Sequence, residues 1–155
     1  MPKATQLDRT YHYILETIVA CGQAPHYTEI ARNFSVPPDE GKRMLHDLMA
    51  AGLPIWLHPS TDLIASFAPF NNLPTHYRVT VDREQKWFAQ CGLESLAISW
   101  LFPGKAVEIE APCLCSGDML HVAMRDGVIE CEEPAGLCLY FNIPYRKWRD
   151  NLTFA

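Results

Sequence analysis

A chain of 155 residues that is 48% hydrophobic and 20% charged has enough apolar mass for one compact domain, or two small ones sharing a core, and does not fit a disordered chain. Its net charge of −5 argues against nucleic acid as the main partner, because a phosphate-binding face is normally basic. No apolar run nears the ~20 residues that span a bilayer, and the first ten residues lack the apolar stretch of a secretory signal, so the expectation is a cytoplasmic protein with no membrane contact.

The first half reads as helices. Leu7, Tyr11, Ile14, Leu15, Ile18 and Val19 recur at three- and four-residue spacing and form one apolar stripe, which Gly22 and Pro25 end. Thr28 is placed to cap a short second helix carrying Ile30, Ala31 and Phe34. Pro38 suits the first position of a third helix, Asp39 and Glu40 favour its N-terminus, and Met44, Leu45, Leu48 and Met49 form its buried face. Two short strands, 53–57 and 63–67, flank a His-Pro-Ser-Thr-Asp turn. Three helices and a β-ribbon make a winged-helix-like domain over residues 1–70. Lys42, Arg43 and His46 are the basic groups of its would-be recognition helix, but Asp39, Glu40 and Asp47 offset them. DNA binding is therefore the weaker reading, and a winged-helix module used for packing the stronger.

A looser Pro- and Asn-rich stretch, 68–75, leads into the second half, residues 71–155. Tyr77, Val79 and Val81 alternate as a strand. The run from Trp87 to Trp100 is long enough for a helix, weakened at Gly92 and closed by Phe102-Pro103-Gly104. Val107 and Ile109 mark a further strand, and Leu120, Val122 and Met124 another, ending at an Asp126-Gly127 turn. The apolar run 137–143 reads as the last strand. The fold class expected is α+β: the helical domain, then a β-rich domain with a central helix.

The six cysteines carry the candidate chemistry. With no signal sequence and ample core residues they read as free thiols rather than disulfides: core filler, soft-metal ligands or nucleophiles. Cys91 stands at or inside a predicted helix start, where the helix N-terminus lowers a thiol's pKa, and Glu94 lies three residues on, on the same face. A thiol beside a carboxyl suits bond cleavage, sulfur binding a soft electrophile while the acid moves a proton. Spacing alone favours the plainer reading, a buried cysteine beside a solvent-facing acid, because single C-x-x-E matches are common. Cys113 and Cys115 form a C-x-C pair able to chelate Hg(II), Cu(I) or Zn(II) in a turn, though two ligands do not close a zinc site and both residues equally suit an ordinary loop. Cys131, among Glu130, Glu132 and Glu133, is a poor nucleophile; Cys138 reads as core, and Cys21 has no evident partner.

Several segments, taken in order, resemble the alkylmercury (organomercurial) lyase family. They are Pro74-Thr75-His76-Tyr77-Arg78-Val79, then Trp87-Phe88-Ala89-Gln90-Cys91-Gly92-Leu93-Glu94-Ser95-Leu96, then Phe102-Pro103-Gly104, the stretch from Cys113 to Gly117, Glu133-Pro134-Ala135-Gly136, and Trp148-Arg149-Asp150. The family also begins with a winged-helix-like domain. The resemblance implies that thiolates take the mercury of an organomercurial and that an acid protonates the departing carbon. By position Cys91 is the first catalytic cysteine, and Glu94 stands where the family commonly has an aspartate, with one more methylene. The family's second catalytic cysteine follows an aromatic segment like that running from Trp148 to Phe154, and this sequence stops at Ala155, before such a residue. Cys113 or Cys115 is then the candidate for a second sulfur. No cofactor is implied: Hg(II) is the product, and low-molecular-weight thiols accept it. The alternatives are a non-catalytic Hg- or Cu-binding thiol protein built on Cys91 with Cys113 or Cys115, and a metal-responsive winged-helix regulator.

Overall fold

The computed structural model describes residues 4–140, 144, 146 and 147. Helix α1, Gln6–Cys21, begins at a capping box in which the Thr5 hydroxyl accepts from the Asp8 amide and the Asp8 carboxylate accepts from the Thr5 amide. Its stripe buries Ile14 and Ile18 completely or nearly so. Helix α2, Tyr27–Phe34, is capped two residues earlier than expected. His26, not Thr28, is its N-cap, because the imidazole accepts from the Thr28 amide while Glu29 Oε2 accepts from the His26 amide at 2.8 Å. The reciprocal pair satisfies two helix-end donors, and Thr28 is left inside the first turn. Helix α3, Pro38–Ala50, starts on Pro38 and buries Met44, Leu45 and Leu48.

The strands are β1 (Ile55–Leu57), β2 (Ile64–Phe67), β3 (Phe70–Asn71), β4 (Arg78–Val81), β5 (Glu84–Ala89), β6 (Val107–Pro112), β7 (Met119–Arg125) and β8 (Val128–Glu133). They form one eight-stranded sheet in the order β1-β2-β3-β5-β4-β6-β7-β8, each neighbouring pair antiparallel. Four helices on an antiparallel sheet make the fold α+β, as expected. The stretch 68–75 is not wholly loose: β3 lies in it, and Phe70 pairs with both Phe67 and Ala89, carrying the sheet across the two halves of the chain.

One expected element is replaced in part. Residues 84–89 are strand, so the first part of the expected helix, Trp87–Ala89, is strand instead, with Trp87 and Ala89 buried and Phe88 between them on the other face. The hairpin that makes them so turns at Asp82 and Arg83, whose φ values of 47° and 73° are those of a tight mirror-image turn. The helix shrinks to α4, Gly92–Ala97, followed by a 3-10 turn over Ile98–Leu101. At the C-terminal side the last strand among the described residues is β8. Residues 137–140 carry no strand, and the rest of that run, like the aromatic segment 148–154, lies outside the described residues. Cys138 is exposed accordingly, not core, and Cys131 lies on β8.

One face of the sheet holds the core. Phe67, Phe70, Val79, Trp87, Val107 and Ile109 meet Ile14, Ile18, Ile30, Leu45 and Leu48 from the helices. Each such side chain contributes roughly 1.5–3 kcal/mol by leaving water. Trp87 also donates its indole N–H to the Ile18 carbonyl at 2.8 Å, fixing β5 against the end of α1. Among the described residues no helix is long and apolar enough to cross a membrane.

Candidate active site

Cys91 is the N-cap of α4 and Glu94 is the third residue of that helix. These are the positions a capping box uses, but the Cys91 side chain makes no cap hydrogen bond; the thiol and the Glu94 carboxyl interact with each other instead. The Ser95 amide donates to the Cys91 carbonyl at 3.0 Å, the first turn of the helix. Gln90 anchors the segment from the other side. Its amide donates to the Pro69 carbonyl at 3.1 Å, and its side-chain amide donates to the Pro54 carbonyl at 3.1 Å. The Thr75 hydroxyl donates to the Ala89 carbonyl at 2.7 Å, so the end of β5 is held on both flanks.

Burial dominates the electrostatics. Glu94 is partly buried, and desolvation lifts its carboxyl to about 7, against a weaker opposing effect from hydrogen bonding with the Cys91 thiol. Its Oε2 atom is buried and has no hydrogen-bond partner among the described residues. The Cys91 thiol is also pushed up, first by burial and also by the Glu94 charge, although the Glu94 and Leu93 amides favour the thiolate. A lowered pKa was the expectation for a helix start; the dipole of a six-residue helix does not overcome desolvation here.

Two tyrosines border the pair. Tyr77 packs against Gly92, and its phenol is raised by burial and then by the Cys91 charge. Tyr11, from α1, is raised by burial and then by the Glu94 charge. Leu139 also closes on Gly92. Tyr11, Thr75 and Gln90 were not among the candidate site residues: Tyr11 read only as part of the α1 stripe, Thr75 and Gln90 only as positions in the family-like segments, and their contacts at the site come from the tertiary fold.

Cys113 and Cys115 lie in the loop joining β6 and β7. Arg78 pairs with Phe88 on one side and Glu110 on the other, so Cys91 and Cys113 follow strands that flank β4 and leave the sheet at the same end. Two strand spacings amount to ~10 Å between those backbones. Among the described residues no group of three or more His, Cys, Asp or Glu side chains is arranged to hold a metal ion. On α3, the basic groups are engaged within the chain: Lys42 Nζ and His46 Nε2 reach the Asp62 carboxylate at 2.6 and 2.8 Å, and Arg43 Nε donates to Glu40 at 3.0 Å.

A model of the family described as alkylmercury lyase matches residues 70–154, more than half of the chain, Cys91 and Glu94 included. The chain belongs to the alkylmercury lyase family. Among solved structures it is similar to "Crystal structure of the mercury-bound form of MerB2", with a TM-score of 0.55 and 16% identity over 85% of this chain and 69% of that one. That likeness extends over the N-terminal helices as well as the family-matched region and concerns the fold. No curated protein sequence matches the chain.

Proposed function

We propose that this alkylmercury lyase relative cleaves carbon–mercury bonds at the Cys91–Glu94 pair. The observation that carries the reading is a partly buried carboxyl with an unpartnered Oε2, pushed up to about 7 by desolvation, three residues along the helix from a half-buried thiol in a chain of this family. Mercury is the substrate's own metal. The thiol sulfur bonds to the mercury of R–Hg–X as its proton passes to the Glu94 carboxylate. Glu94 then delivers that proton to carbon as the C–Hg bond breaks. Sulfur–mercury and carbon–hydrogen bonds form, sulfur–hydrogen and carbon–mercury bonds break, and mercury stays Hg(II). Two external low-molecular-weight thiols then take the ion as a bis-thiolate, restoring the Cys91 thiol and releasing HX.

The raised values suit this relay. A carboxyl near 7 both accepts a proton from a thiol about to bind metal and returns it to carbon, which an ordinary glutamate near 4.5 does poorly. Tyr11, Tyr77 and Leu139 supply an apolar border for the organic group. The site works within a cytoplasmic thiol pool, which also keeps the cysteines reduced.

The test is headspace detection of benzene from phenylmercury, or methane from methylmercury, in excess monothiol. The native chain should release hydrocarbon above the thiol-only rate, Cys91→Ser should not, and Glu94→Gln should lose about 10²-fold or more. Release no faster than with thiol alone removes the reading.

A further inference from the structure

We propose, resting on the lyase reading above, that Gln90 is a positioning residue through which the N-terminal half of the chain holds Cys91 and Glu94 in register for the reaction.

The two residues before Cys91 are held by four hydrogen bonds to three other stretches of chain. The Ala89 amide donates to the Tyr77 carbonyl at 3.0 Å, and the Ala89 carbonyl accepts from the Thr75 hydroxyl at 2.7 Å. The Gln90 amide donates to the Pro69 carbonyl and its side-chain Nε2 to the Pro54 carbonyl, both at 3.1 Å. The first two partners lie within the family-matched stretch, which begins at residue 70. Pro54 and Pro69 both precede it. The reacting pair thus belongs to one half of the chain, and the acceptors that hold its approach belong to the other.

These acceptors are firm. A proline ring fixes φ at about −65°, so the backbone that carries each carbonyl has little freedom. The Pro54 carbonyl also accepts from the Ala68 amide at 3.2 Å, a bond that ties the stretch before β1 to the end of β2 without any help from Gln90. Removing the Gln90 carboxamide therefore leaves the ribbon its own anchor. What loses a restraint is the residue that leads into Cys91.

That restraint matters because α4 does little to fix its own start. The helix has six residues, and the Cys91 side chain makes no cap hydrogen bond. So short a helix has little intrinsic stability, and the direction of the sulfur depends on how the chain enters it. Protonation of carbon requires sulfur and carboxyl to meet one C–Hg bond together, and a displacement of about 1 Å can cost on the order of 10²-fold. Mercury capture by sulfur alone is less demanding. Gln90 therefore acts on turnover more than on substrate capture.

The experiment uses the full chain with two variants. Gln90→Met keeps the length of the side chain and loses the donor. Gln90→Glu keeps the length and donates to the Pro54 carbonyl only while its new carboxyl is protonated. In hydrocarbon release from phenylmercury with excess monothiol, Gln90→Met should lower kcat roughly tenfold and change KM less than about twofold. Gln90→Glu should match the native chain at low pH and fall to the Gln90→Met level as the new carboxyl ionises. Each value is taken relative to the native chain at the same pH, so the titrations of Cys91 and Glu94 cancel. Loss of packing alone gives no such pH-dependent recovery. The second readout is the rate at which iodoacetamide alkylates Cys91, followed by mass spectrometry at that residue. It should rise roughly threefold at pH 8 in Gln90→Met, as the sulfur leaves its buried place beside the acid, and Gln90→Glu should switch between the two rates with pH. Alkylation needs no turnover, so a native chain that releases no hydrocarbon removes the lyase reading while the positioning role is still read at the sulfur. Should Gln90→Met fail to fold, the pH dependence of Gln90→Glu decides alone. A Gln90→Met chain that turns over and alkylates like the native one, or a Gln90→Glu chain that shows no recovery at low pH, overturns the inference.

Discussion

The Tyr11 ring of α1 lies with its centroid 5.0 Å from that of Phe67 on β2, and the same residue faces the Glu94 charge. Tyr11 also walls a cavity of about 230 Å³ with Leu7, Asp8, His12, Leu48 and Leu53. It thus stands between that cavity and the buried acid. Tyr11→Ala should cost about 2–3 kcal/mol by removing a half-buried ring and should also lower the Glu94 pKa by admitting water. Tyr11→Phe should change neither greatly. Urea unfolding and carbon-13 titration of the Glu94 carboxyl check both. An unshifted Glu94 in Tyr11→Ala would show that the ring does not shield it.

Glu94 should make stability fall with rising pH. Its folded-state value, about 7, lies above the ordinary 4.5, so between those values the native state binds more protons than the unfolded chain. The slope of unfolding free energy with pH is then negative across that window and flat outside it. Full desolvation would make the loss roughly 3 kcal/mol, and solvent reaching the partly exposed side chain reduces it. Denaturant midpoints at pH 5 and pH 8 measure this, and Glu94→Gln should flatten the difference. A midpoint that rises across the window would contradict the direction assigned to Glu94.

The parts of the fold legible in the sequence were those set by local pattern. The α1 and α3 stripes, the Pro38 start and the Asp126-Gly127 turn each need only neighbours along the chain. Strand β5 was hidden because Trp87, Phe88 and Ala89 run into α4 without a break, and its hairpin turns at Asp82-Arg83, where no glycine marks the positive φ values. Strand β8 was hidden by its own composition: four of its six residues are acids or a flanked cysteine, on a sheet edge and with no apolar alternation. The three-residue relation of Cys91 and Glu94 was legible as spacing. The sign of the thiol's shift was not, because it depends on burial by Tyr77, Leu139 and the sheet, which no local pattern reports.

The helix–ribbon half should not bind DNA with the steep salt dependence of a phosphate reader. Lys42 and His46 close on Asp62 across the ribbon, and Arg43 on Glu40, so the cations of α3 are already paired. Each exposed pair is worth little to stability, but together they remove the basic face that counterion release requires. Fluorescence anisotropy with a labelled duplex, from low to physiological salt, should show no saturable binding. A steep logarithmic decline in affinity with salt would mean that these pairs open for phosphate.

Gly92 should tune substrate size rather than stability. It opens α4, where alanine has the better helix propensity. A Cβ there would come 2.9 Å from Leu139 Cδ2 and 3.4 Å from Tyr77 Cε1. The leucine methyl ends a flexible side chain and can swing aside, whereas the Tyr77 ring, packed beside Cys91, must give by tenths of an ångström. Gly92→Ala should therefore unfold within about 1 kcal/mol of the native chain, with the helix gain offsetting the crowding. Its cost should appear in kcat/KM, and unequally: about tenfold for phenylmercury, whose ring needs the space between Tyr77 and Leu139, and less for methylmercury. Equal losses for the two substrates would place the organic group elsewhere, away from the Gly92 edge of the site.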